Sequence, residues 1–109
     1  MKRGEIWTMA GGSGYAGKPR PVLIVQDDAF AERESVTVCL ITTDPADLPV
    51  FRIPVEPTEE NALRAASHLM VDKVTTVQRS RLGHRIGQLA DDDLLRLNRS
   101  LLVFLGLAR

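Results

Sequence analysis

The chain has 109 residues, 44% of them apolar and 26% charged, with 14 basic and 14 acidic side chains. That length fits one domain, residues 1–109, with a modest core that dimerisation would help to complete. A net charge of zero argues against a general polyanion binder. The single cysteine, Cys39, excludes an intrachain disulfide and any cysteine-based metal site. His68 and His84 lie 16 positions apart without ligand spacing, so no metal and no other cofactor is expected. The opening residues carry charges without an apolar run after them, and no stretch is long enough to span a membrane, which predicts a soluble, cytoplasmic protein. The charge is unevenly distributed. Residues 1–25 hold four Lys/Arg and one acid, residues 26–60 two and nine, and residues 61–90 five and one. Two basic segments thus flank an acidic one. They could converge on a phosphate backbone or simply pair with the acidic segment.

In chain order, Gly4 to Met9 reads as a first strand. A loop from Ala10 to Lys18 follows, with four glycines in nine residues. It lacks a phosphate-loop pattern, and its centre, Tyr15, could stack on a base or pack on the domain. Arg20 to Gln26 is a second strand, whose run Val22-Leu23-Ile24-Val25 suits a position covered on both faces. Pro19 and Pro21 restrict the backbone around Arg20 to extended conformations and remove two donors, fixing an arginine at the mouth of the strand. That arginine could hold an anion or pair with a surface carboxylate. After a charged connection at Asp27–Glu34 with turns of helix, Ser35 to Thr42 alternates as a third strand and ends in the turn signature Thr42-Thr43-Asp44-Pro45. Val50 to Val55 is an edge strand because of Pro54. Residues 57–64 form a loop with a short helix through Arg64. Ser67 to Val74 is a fifth strand, placing His68, Met70 and Asp72 on one face and Leu69, Val71 and Lys73 on the other. A turn at Gln78–Arg81 leads to a short sixth strand, Leu82–Leu89. Asp91, Asp92 and Asp93 supply an N-cap and first-turn negative charge for a terminal helix. Its face is Leu94, Leu97, Leu101 and Phe104, and Leu95, Leu102 and Leu105 form a second apolar flank. The fold class is α+β and mainly β: five or six strands in a small barrel or strongly bent sheet, closed by a C-terminal helix.

Four blocks in order resemble the MazF/PemK (Kid) toxins of bacterial toxin–antitoxin systems: Lys2-Arg3-Gly4-Glu5-Ile6-Trp7, Gly17-Lys18-Pro19-Arg20-Pro21-Val22-Leu23-Ile24-Val25-Gln26, Leu40-Ile41-Thr42-Thr43, and Val74 to Leu82 followed by Ile86-Gly87-Gln88-Leu89. The resemblance implies a homodimeric barrel of the kind shared with CcdB and related to SH3-like barrels. It implies a sequence-specific, metal-independent endoribonuclease that cuts single-stranded RNA to 2′,3′-cyclic phosphate and 5′-hydroxyl ends, inhibiting translation and growth, and that is blocked by a MazE-like antitoxin. Arg20 matches the family's catalytic arginine, suited to stabilising charge on the phosphorane because a guanidinium stays protonated and forks onto two oxygens. Thr42 matches its hydroxyl, which would hold the phosphate in line; capping the strand end is the alternative. The general base is open between Asp72, which could instead pair with an arginine, and His68, a residue type able to exchange a proton, which could instead be structural. Lys73 stands where relatives carry a glutamine and could bind phosphate. Lys18, Tyr15, Arg79 and Arg81 lie where RNA would pass. A gyrase-targeting toxin of the CcdB kind and a non-catalytic RNA-binding barrel are the competing readings.

Overall fold

The computed structural model describes residues 1–11, 18–44 and 51–108. It contains six strands: β1 (Glu5–Met9), β2 (Arg20–Ile24), β3 (Ser35–Thr42), β4 (Arg52–Val55), β5 (Ser67–Gln78) and β6 (Leu82–Gln88), followed by one helix, α1 (Asp91–Phe104). All pairings are antiparallel, in one sheet of order β4-β5-β3-β2-β1-β6, so β4 and β6 are its edges. The mainly-β architecture with a C-terminal helix is as expected. Pro54 sits on an edge strand, where its missing N–H costs the ladder nothing.

The sheet has apolar side chains on both faces, and period-two alternation assigns them. Leu23, Cys39, Ile41, Leu69 and Val71 face one cluster with Ile6, Leu89 and Leu97. Val22, Ile24, Val36 and Val38 face the other, with Met9, Val77 and Leu82. The continuous run of β2 therefore feeds both cores. Leu97 is the fully buried anchor of α1, and Leu94 and Leu101 pack partly beside it. Phe104 meets Phe51 edge to face, with ring centroids 4.9 Å apart. The second flank remains exposed: Leu95, Leu102 and Leu105 face solvent.

Strand β5 is longer than its apolar pattern suggests, and it is irregular. Cys39 pairs with Val74 while Ile41 pairs with Leu69, so two steps along β3 correspond to five along β5. The surplus of three is odd, and an odd surplus exchanges the faces. Leu69 and Val71 consequently enter the helix-side core, whereas Val77 enters the opposite one. The expected alternation holds from Ser67 to Asp72. It fails at Lys73, which is exposed instead of joining Leu69 and Val71.

Two further expectations are corrected. The helix N-cap is Ala90, with no side-chain cap bond; Asp91, Asp92 and Asp93 all lie in the first turn, where they still complement the dipole. No helix forms through Arg64. Asn61, buried, ties that segment into a turn: its Oδ1 accepts from the Thr58 and Leu63 N–H groups, and its Nδ2 donates to the Glu56 carbonyl. These local bonds compete with helical ones. The turn lies so close on β6 that a Cβ at Gly87 would stand 2.5 Å from the Asn61 carbonyl oxygen.

Arg3, counted above in a basic segment, is a structural tie. Its Nε donates to the Val25 carbonyl at 2.7 Å and its Nη2 to Asn98 Oδ1 at 2.6 Å, joining β2 to α1.

Candidate active site

The chemistry-bearing residues gather at one end of the sheet. Met9 pairs with Arg20, Val22 with Leu40, Thr42 with His68, and His68 with Pro54 on its other side. Continuing the β2–β3 register two residues beyond Val22 and Leu40 sets Arg20 beside Thr42. Met9, Arg20, Thr42, His68 and Pro54 therefore form one transverse row, and laterally paired residues share a face.

A cleft of about 320 Å³ opens at the Met9, Arg20 and Thr42 part of this row; His68, Pro54 and Asp72 are not among the residues that line it. Arg20, Thr42 and Arg81 supply its polar rim, and Met9, Leu40 and Met70 are among the apolar residues of its floor. Arg20 comes from the first basic segment and Arg81 from the second, so the two basic segments do converge. Apolar walls with a few placed polar groups suit a ligand that carries both a charge and a flat ring.

Thr42 and Arg81 each have a defined partner. Thr42 Oγ1 accepts from the Asp44 N–H at 3.1 Å. The strand-end cap is thus real, and it consumes only a lone pair; the hydroxyl proton remains to be donated. Arg81 Nη2 donates to the Ala10 carbonyl at 3.1 Å, which directs its guanidinium along the cleft's edge.

Asp72 lies on the same face of β5 but is engaged. Its Oδ1 is 2.6 Å from Arg52 Nη1, and the two side chains are only 21% and 7% exposed. The arginine alternative for Asp72 is therefore the observed one, and Arg52 is a residue that sequence reasoning missed. Nothing local signals it, because the pair forms across two strands. His68 keeps its Nδ1 buried without a hydrogen-bond partner among the described residues.

The remaining expected residues separate from the cleft. Arg79 turns away: its guanidinium donates to the Ala31 carbonyl, and it lines a different hollow with Glu34, Gln78 and Ser80. Lys18 and Lys73 are exposed and are not among the residues that line the cleft. Tyr15 lies outside the described residues. Met9, Leu40 and Met70 were absent from the expected site; the signal that could have found them is apolar side chains on the same face as Thr42 and His68.

The chain matches, over residues 2–105, the model of the PemK-like, MazF-like toxins of type II toxin–antitoxin systems. It belongs to that family. It is 56% identical over 108 residues to the probable endoribonuclease MazF of Mycolicibacterium smegmatis, covering 99% of both chains. Among solved structures, it resembles the Mycobacterium tuberculosis toxin MazF-mt6 with a TM-score of 0.78 at 26% identity, covering 96% and 99% of the two chains. It also resembles an endoribonuclease solved in complex with its cognate antitoxin from a mycobacterial species, with a TM-score of 0.79 at 22% identity over 100% and 98% of the chains. For this MazF-like chain the second likeness shows the fold. The cleft at Arg20 and Thr42 falls within the matched span.

Proposed function

We propose that this chain is the toxin of a toxin–antitoxin pair, an endoribonuclease that cuts single-stranded RNA without a metal. The observation that carries the reading is the placement of Arg20 beside Thr42 on one cleft lined also by Arg81. The substrate's own 2′-hydroxyl is the nucleophile. Its oxygen bonds to phosphorus as its proton leaves, the bond from phosphorus to the 5′-oxygen breaks, and that oxygen takes up a proton. The products are a 2′,3′-cyclic phosphate and a 5′-hydroxyl. Charge builds on the non-bridging oxygens in between. Donors fixed in advance at those oxygens lower the barrier. The Arg20 guanidinium forks onto them, and the Thr42 hydroxyl holds the group in line. Arg81 positions the chain through a neighbouring phosphate, and the Met9, Leu40 and Met70 floor receives an unstacked base.

The antitoxin named with a structural relative supports an antitoxin partner here. The uncovered flank of Leu95, Leu102 and Leu105 supports a homodimer, since it leaves apolar surface for a second copy. No helix among the described residues is long and apolar enough to cross a membrane. The test is incubation of the purified protein with a long single-stranded RNA in EDTA, with the 5′ ends of the fragments mapped. Discrete cuts sharing a short sequence and bearing 5′-hydroxyls are expected; intact RNA with folded protein would refute the reading.

A further inference from the structure

We infer that Thr75 is a specificity-determining residue of the cleft: its hydroxyl hydrogen-bonds the edge of an unpaired RNA base that lies on Leu40 and Met70, beside the cut. The inference rests on the endoribonuclease reading above and names the base-reading part of that same cleft.

Thr75 lines the cleft with Leu40, Met70 and Thr42. The path of β5 puts it there. Thr75 pairs with Val38, and Val38 belongs to the cleft-side core with Val22 and Val77. Laterally paired residues share a face, so Thr75 points to that side. Met70 reaches the same side from the other half of the strand, because it alternates with Leu69 and Val71 of the helix-side core. In an unbroken strand, residues five apart point opposite ways. The surplus of three residues brings Met70 and Thr75 to one face. On β3, Leu40 stands between Val38, opposite Thr75, and Thr42.

The next threonine shows how a hydroxyl serves the fold. Thr76 and Thr37 are register partners, and their Oγ1 atoms lie 2.7 Å apart. Thr75, one position earlier and on the other face, is exposed, and no hydrogen bond among the described residues engages its hydroxyl. It is an open donor and acceptor beside an apolar shelf. That combination matches an unstacked base, whose ring packs on side chains while its edge takes hydrogen bonds. A hydroxyl serves either a carbonyl oxygen or an amino group of that edge. Position separates this contact from the chemistry. Thr42 and Val38 are four residues apart on β3, roughly 13 Å, so Thr75 is beyond the phosphate at Thr42 and within reach of a neighbouring base. Phosphates are common to every sequence; a base edge is not.

The tests use the full chain and a pool of single-stranded RNAs randomised around the parent's cut. Thr75→Val keeps the branched shape and removes the hydroxyl. It should lower the parent's preference at one position of the cleaved sequence by roughly tenfold, with kcat near the parent's on the sequences it still cuts. Thr75→Ser should keep the preference, and so should Thr76→Val, whose hydroxyl serves the fold. An unchanged preference in Thr75→Val would overturn the inference, as would an equal fall in cleavage of all sequences, the mark of a merely structural role. A second measurement is independent of cleavage. Short 2′-O-methyl oligonucleotides of mixed sequence lack the nucleophile, and on their addition the Thr75 and Met70 methyl signals should shift in NMR spectra. A Thr75 methyl signal that stays in place would also overturn the inference. Failure of the endoribonuclease reading looks different: the parent then leaves RNA intact, or Arg20→Ala cuts it as well as the parent does, while the titration still reports whether a base meets Thr75.

Discussion

Arg52 and Asp72 join the edge strand to the bent strand beside it through a contact of 2.6 Å, with the arginine almost wholly withdrawn from water. Removing one partner leaves the other charge poorly solvated, the costly way to disturb such a pair. Asp72→Ala should destabilise the fold by about 3–5 kcal/mol, read as a lower urea midpoint. The double variant Arg52→Met with Asp72→Leu should recover much of the loss. Equal losses in the single and double variants would show that the pair is not coupled.

Arg20 is exposed, at the mouth of β2. Arg20→Ala should therefore leave the unfolding midpoint within about 0.5 kcal/mol of the parent and lower kcat by roughly a hundredfold or more. Arg20→Lys keeps the charge but loses the planar fork, and should fall between the two. Single-turnover cleavage of a defined RNA, alongside thermal melts, measures both.

Thr42 caps the end of its strand and, in the proposed reaction, also holds the phosphate; two substitutions part these roles. Thr42→Ser retains the hydroxyl for both the Asp44 N–H and the substrate, so its turnover should stay near the parent's. Thr42→Val loses the cap, costing about 1 kcal/mol of stability, and should also lower kcat more than it raises KM. A Thr42→Val enzyme with unchanged kcat would reduce the residue to its capping role.

Cys39 is fully buried, and burial pushes its thiol up to about 12 from an ordinary 9.0. The native thiol should resist alkylation at pH 8 and react only on unfolding. The folded value is the higher one, so the unfolded chain loses its proton first. Stability should be unaffected by this group below pH 9 and should fall as the pH rises from 9 towards 12. The slope should approach about 1.4 kcal/mol per pH unit. Cys39→Ala should flatten that part of the stability curve.

Where the sequence was readable, one physical pattern dominated. Ser35 to Thr42 was expected as the third strand, and β3 has those bounds. The Leu94, Leu97, Leu101 spacing gave the packed side of α1. Arg20 and Thr42 were legible as strand ends, and both line the cleft. The misses arise where tertiary geometry overrides local pattern. Thr75 and Thr76 are polar and exposed, beyond the expected end of the fifth strand at Val74, yet they are strand because they pair with β3. Arg79 and Arg81 sit two positions apart and look equivalent, but the short 3-10 turn between β5 and β6 sends one to the Ala31 carbonyl and the other to the cleft. Local sequence cannot distinguish them.

The surplus of three residues in β5 makes its chain length a structural variable in its own right. Deleting one residue between Met70 and Lys73 would turn an odd offset into an even one. Every side chain on one half of the strand would then point the wrong way, putting Val77 on the helix side or Leu69 towards the cleft. Substitutions in this short stretch alter single contacts; a change in its length inverts half a strand.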